Sequence, residues 1–261
     1  MKRLAIALVA LLVFGALKMP LEHRLYQEHK RAFFHSAELN LSLREQVGQG
    51  GFIAALSGFR SVVADLLWIR AYIAWTDTEW GRMKVLFDAV TSLQPRALEF
   101  WDTAHWHMAF NAGVAAIQNE DQPRLALRQK AQREYWKLGE AYLKRGISFN
   151  PDRALLYDRL GALYADARKF NDPCRAAEAY AEAAKRPDAM PYVHRLAVYN
   201  LARCPGHERE AYEKLVKLYH KGKEERLLTL LVTIDELEEK LQIPEEQRID
   251  TAADIKEATP R

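Results

Sequence analysis

His105 and His107, in the stretch AHWHMAF, are the closest this chain comes to a metal or proton-transfer site. Two positions apart on a helix they point to different faces, whereas residues that share an ion sit three or four apart. The other histidines are scattered, with no Cys or carboxylate at a ligand spacing. The GQGG turn at 48–51 lacks the Lys-Ser/Thr of a phosphate loop and reads as a joint. No nucleophile elbow, zinc-protease helix or carboxylate pair is present, so the sequence motivates no catalytic residue, no metal and no cofactor. Arg60, Asp65 and Arg70 interrupt the otherwise apolar run GFRSVVADLLWIRAYIAW. Charges in such a run must reach water or pair, and an ion pair between packing units is expected; a carboxylate clamp on Arg60 or Arg70 is the alternative.

The two cysteines carry more information. Cys174 opens one predicted helix, about 174–185, and Cys204 closes the next, about 191–204. In an antiparallel helical hairpin those two ends are neighbours, so the sulfurs can meet. A lasting disulfide belongs to an oxidising compartment and favours a body outside the cytoplasm. The alternative is that both are small buried hydrophobes.

The elements that must position these residues are helices. The chain has 261 residues, 49% of them hydrophobic, enough to bury a core without metal or cross-links. Its 12 Gly and 10 Pro are dispersed among Ala/Leu/Glu/Arg-rich runs, which favours an all-α fold. With 38 basic against 35 acidic residues and no concentrated basic stripe, nucleic acid is not an expected partner. The N-terminus MKRLAIALVALLVFGALKMP pairs Lys2 and Arg3 with an apolar run from Leu4 to Leu17. That is an export signature. Phe14 spoils a cut after Ala16, so residues 1–21 are expected to be an uncleaved signal anchor, with a cleaved leader as the alternative. The run is short of the roughly 20 residues that span a bilayer comfortably, and flanking charges do not fix its orientation.

Beyond a linker at 22–58, the segment YDRLGALY places Tyr157, Leu160, Gly161 and Tyr164 on one helical face, with Gly161 leaving room for another helix. After the Asn171-Asp172-Pro173 break, Ala176, Tyr180 and Ala183 line a second helix that ends before Pro187. This hairpin of about 34 residues resembles the tetratricopeptide repeat, W-x-x-L-G-x-x-Y then A-x-x-x-F then P, with Tyr157 for the Trp and Tyr180 for the Phe. Such a hairpin cannot bury its apolar face alone, so neighbours are expected. Leu67, Ala71, Ala74, Met83, Phe87, Val90 and Pro95 repeat the spacing; Trp101, Ala104, Met108, Gly139, Leu143 and Gly146 do so around the insertion QNEDQPR. Val193, Leu196, Ala211 and Leu215 form a weaker unit. Repeats are thus expected over 59–222, a capping helix over 223–242 and a disordered, solvated tail over 243–261. The resemblance implies an α-α superhelix whose concave groove is lined by the first helix of each pair, and a role in binding and scaffolding.

In that geometry Trp68, Tyr72, Trp75, Asp102, Trp106 and Phe110 face the groove, and five of the six Trp fall between 68 and 106. Aromatic surfaces of this kind receive extended apolar or Pro-rich segments, or lie near membrane. Asp102 or Asp158 would set polar register. The alternative is that the chain's own segment 26–58 covers the rings. The expectation is therefore a non-enzymatic adaptor in the bacterial inner membrane, held by its N-terminal helix, with an extracytoplasmic body that binds a protein partner. A structural subunit packed permanently on a membrane complex is the rival, and an enzyme on an α-α scaffold is the third reading.

Overall fold

A computed structural model describes residues 58–252, 254 and 255, together with Val13, Phe14, Lys18, Pro20 and Arg24. The signal anchor, the linker and the GQGG joint otherwise lie outside the described residues. Everything regular that is described is helical, with no strand among those residues. None of the helices among them is long and apolar enough to cross a membrane. The chain divides into two compact units at Asn150–Pro151.

In the first unit, α1 (Arg60–Thr76) pairs with α2 (Trp80–Leu93), and a run formed by α3 (Leu98–Trp106), the π-turn π1 (His107–Ala112) and α4 (Gly113–Gln118) packs on the long α5 (Leu125–Phe149). Apolar positions at helical spacing supply the core: Leu67, Ala71 and Ala74 of α1, Met83, Phe87 and Val90 of α2, Trp101 and Ala104 of α3, and Met108 of π1 are all buried. Trp101 has no exposed surface, and its indole N–H donates to Pro95 O at 2.9 Å. Asn150 donates to the same carbonyl at 2.9 Å, and the Arg96 guanidinium donates to Phe149 O, so the corner between α2 and α3 is tied to the end of α5. α5 approaches π1 closely at Gly139, where an added Cβ would sit 2.6 Å from Ala109 Cβ and 3.0 Å from His105 O.

In the second unit, α6 (Ala154–Ala165) and α7 (Pro173–Ala184) form the hairpin that the sequence marked. Leu160, Gly161, Tyr164, Ala176, Tyr180 and Ala183 are buried, and Tyr157 is half-buried beneath the Arg186 guanidinium, 4.5 Å from the ring centroid. The gap at Gly161 is filled by the Tyr180 ring: an added Cβ would meet its Cγ at 2.8 Å. Asp172 caps α7 by accepting from Arg175 N at 2.9 Å, with Pro173 in the first turn, where its missing N–H costs nothing. α8 (Tyr192–Ala202) packs on α7, and a disulfide joins Cys174 to Cys204. α9 (Glu208–Lys221) and α10 (Leu228–Lys240) close a further core around Leu215, Leu230, Leu231 and Ile234.

Two expectations fail here. The tail is not solvated over its described length. Ile243 and Thr251 are buried, Ile249 and Ile255 pack on the α9–α10 core, and Asp254 accepts from Tyr219 Oη at 2.8 Å and from Arg226 at 3.3 Å. Three well-placed apolar side chains and a half-buried carboxylate suffice to hold a segment whose average composition is polar. Among the described residues the expected ion pair of Arg60, Asp65 and Arg70 does not form either. Asp65 and Arg70 are exposed, and none of the three bonds a described residue, because α1 turns that side outward to water.

Candidate functional site

The aromatic residues singled out in the first unit converge. Trp68, Tyr72 and Trp75 lie along α1 at spacings of four and three, so they share one face, and Trp106 projects from the end of α3. Together with Ala71, Phe87, Thr103, His107 and Asn111 they line one cleft of about 300 Å³. The walls interlock: Tyr72 and Trp75 have ring centroids 5.4 Å apart, Trp75 meets His107 edge-on at 5.2 Å, and Trp68 rests on Phe87 at 5.6 Å and Phe100 at 5.0 Å. Phe110 stands behind the wall, stacked on Trp106 at 4.2 Å. Tyr72 and Trp106 remain 61% and 51% exposed, so the cleft is open.

His107 and Asn111 were not among the expected groove residues. They lie four and eight positions after Thr103, on the helical stripe that faces the cleft, and the π-turn π1 begins at His107. Asn111 Nδ2 lies 2.9 Å from His107 Nδ1; with the amide as donor, Nδ1 accepts and the ring proton sits on Nε2. Burial pushes the His107 pKa below its ordinary value, so the ring is neutral at pH 7. His105 is buried on the other side, its Nδ1 3.3 Å from Asp102 Oδ1 but too poorly aimed for a hydrogen bond. Among the described residues no cluster of His, Cys, Asp or Glu is arranged to hold a metal ion.

The acidic candidates are placed differently from the rings. Asp102 is half-buried beside His105 and does not line the cleft. Asp158 belongs to the second unit, where it is buried and accepts from Tyr192 Oη at 2.7 Å. It is a structural acceptor, which corrects its assignment to partner contact. Among the described residues no charged side chain lines the aromatic cleft.

Two larger hollows, of about 530 and 640 Å³, lie beside α4 and between α8 and α10. Their walls hold mainly Ala, Thr and long polar side chains, without a comparable set of rings. In the second of them Tyr199 Oη and Asn200 Oδ1 lack hydrogen-bond partners, but both atoms are sealed from solvent and offer a ligand nothing. The aromatic cleft is therefore the candidate site on chemistry rather than size. No protein-family model, curated protein or solved structure matches this chain.

Proposed function

We propose that this protein is a membrane-anchored, tetratricopeptide-like adaptor that holds a protein partner through the aromatic cleft of its first unit. One observation carries the reading: four of the five aromatic residues expected to face a groove line a single open, uncharged cleft. Rigid Trp and Tyr rings supply contact area at low entropic cost, which suits capture of an extended segment. Support for tetratricopeptide-like packing comes from the α6–α7 hairpin, where Gly161 admits Tyr180 as the family pattern implies. The disulfide supports an extracytoplasmic body, since such bonds persist in oxidising compartments. Anchoring rests on the apolar leader, so the inner membrane is the proposed location.

The rival, a subunit packed permanently on a membrane complex, draws on a different surface. Phe59, Val62, Leu66, Ile69 and Ile73 are exposed at three- and four-residue spacing, an unbroken apolar stripe along α1. Recovery of cross-linked partners from the native host with wild type and Trp106→Ala separates the two. The adaptor reading expects the variant to fold and to lose the partner. Unchanged recovery from a folded variant rejects the cleft, and loss only on Leu66→Asp or Ile69→Asp favours the rival.

A further inference from the structure

The cleft has an excess of hydrogen-bond donors over acceptors, and this restricts what fits it. The indole N–H groups of Trp68, Trp75 and Trp106 and the Nε2–H of His107 have no acceptor among the described residues. Those of Trp68, Trp75 and His107 are not sealed away from solvent. An indole donates and never accepts, and His107 Nδ1, the one acceptor on that ring, is already engaged by Asn111. Thr103 and Tyr72 add hydroxyls that can also donate, while Asn111 Oδ1 is the only side-chain group that solely accepts. Among the described residues no charge lines the cleft to select an ionic ligand.

A ligand that matches must present flat or ring-shaped apolar surface and backbone carbonyls, with few N–H groups to leave unsatisfied. We infer that the occupant of this cleft is an extended proline-rich segment, its pyrrolidine rings lying on the Trp and Tyr faces and its carbonyls accepting from the indole and imidazole N–H groups. Proline carries no backbone N–H, so a run of it has acceptors alone. Its left-handed extended helix is already formed in solution, so docking costs little ordering entropy. An ordinary apolar segment would offer the same carbonyls but also bring one N–H per residue into a site with little to receive it, leaving those N–H groups unsatisfied.

This rests on the peptide-capture reading and names its ligand class, and the test separates the two. The full-length chain, in detergent micelles, is titrated calorimetrically with decaproline and with a ten-residue peptide of alternating Leu and Ser. Decaproline is expected to bind saturably at one site and the control at least about tenfold more weakly. Trp106→Ala should weaken decaproline about tenfold through the lost ring. Tyr72→Phe, which keeps the ring and the fold and removes only the hydroxyl, should weaken it about threefold to tenfold. Equal or tighter binding of the Leu-Ser peptide, abolished by Trp106→Ala, overturns the proline inference and leaves peptide capture standing. Decaproline binding that neither variant changes places the ligand elsewhere and overturns it as well. Absence of binding by either peptide does the same, and peptide capture is then judged by the native cross-linking alone.

Discussion

The two units solve the same packing problem with different side chains. The first combines aromatic and aliphatic burial with links of its own, such as Tyr142 Oη donating to Asp88 at 3.0 Å, and leaves Leu66, Ile69, Tyr72 and Trp106 on its surface. The second is stitched by specific links: the Cys174–Cys204 disulfide, Tyr192 to Asp158, Tyr212 to Glu238 at 3.0 Å, and Tyr219 to Asp254. Arginines in the second unit sit on tyrosines, Arg175 4.3 Å from the Tyr164 ring and Arg226 4.0 Å from that of Tyr219. On the proposed reading the first unit keeps its cleft rings open to a partner, whereas tyrosine hydroxyls of the second engage carboxylates within it.

Trp101→Ala should have the largest effect, costing about 3–5 kcal/mol, because a wholly buried ring is removed and Pro95 O loses a donor. Segment-resolved amide exchange should show α1 to α5 losing protection. If the second unit is stitched as described, removing its cross-link comes next. Cys174→Ser with Cys204→Ser opens a loop closed over 30 residues, a loss of about 3–4 kcal/mol in the chain-entropy account, read by denaturant unfolding. Asp254→Ala should cost about 1–3 kcal/mol by stranding Tyr219 Oη and Arg226, and should release the 243–255 segment to protease. An intact segment in that variant would mean that Ile243, Ile249 and Ile255 hold it unaided.

Acid should also distinguish the units, with smaller effects. The His107 pKa is lowered by burial, so the unfolded chain binds that proton first. Stability of the first unit is complete above pH 6.5 and declines as pH falls below it toward the lowered folded value. In the second unit Asp166 is held low by Lys169 and Arg168 against the opposing effect of its own burial, and Asp172 by hydrogen bonds from Arg175. Their contribution is complete above the ordinary carboxylate value of 3.8 and is lost as pH falls below it. Melting followed separately by exchange at pH 7, 5 and 3 should therefore show the first unit weakening by pH 5 and the second only nearer pH 3.

Much of this was legible in the sequence because burial recurs at helical spacing. Leu67, Ala71 and Ala74, or Leu160, Gly161 and Tyr164, announce a buried face wherever the helix runs, and the rings beside them follow by geometry. The parts that escaped lacked such a period. His107 and Asn111 share with Thr103 a polar stripe that carries no large apolar residue, so a reading led by rings passes over it. Asp158 looks free in sequence because its donor, Tyr192, is 34 positions away. The tail looks solvated because Asp254 and Thr251 anchor it through polar bonds that a hydropathy reading counts as exposure.

The central claim is that the aromatic cleft is where the partner sits. A photoreactive benzoyl-phenylalanine placed at Tyr72, 61% exposed at the cleft, and at Met190, 57% exposed in the second unit, tests it in the native host. One discrete adduct from position 72, lost on adding Trp106→Ala, with none from position 190, is the expected result. Adducts from position 190 alone, or adducts from 72 that persist without Trp106, would contradict it.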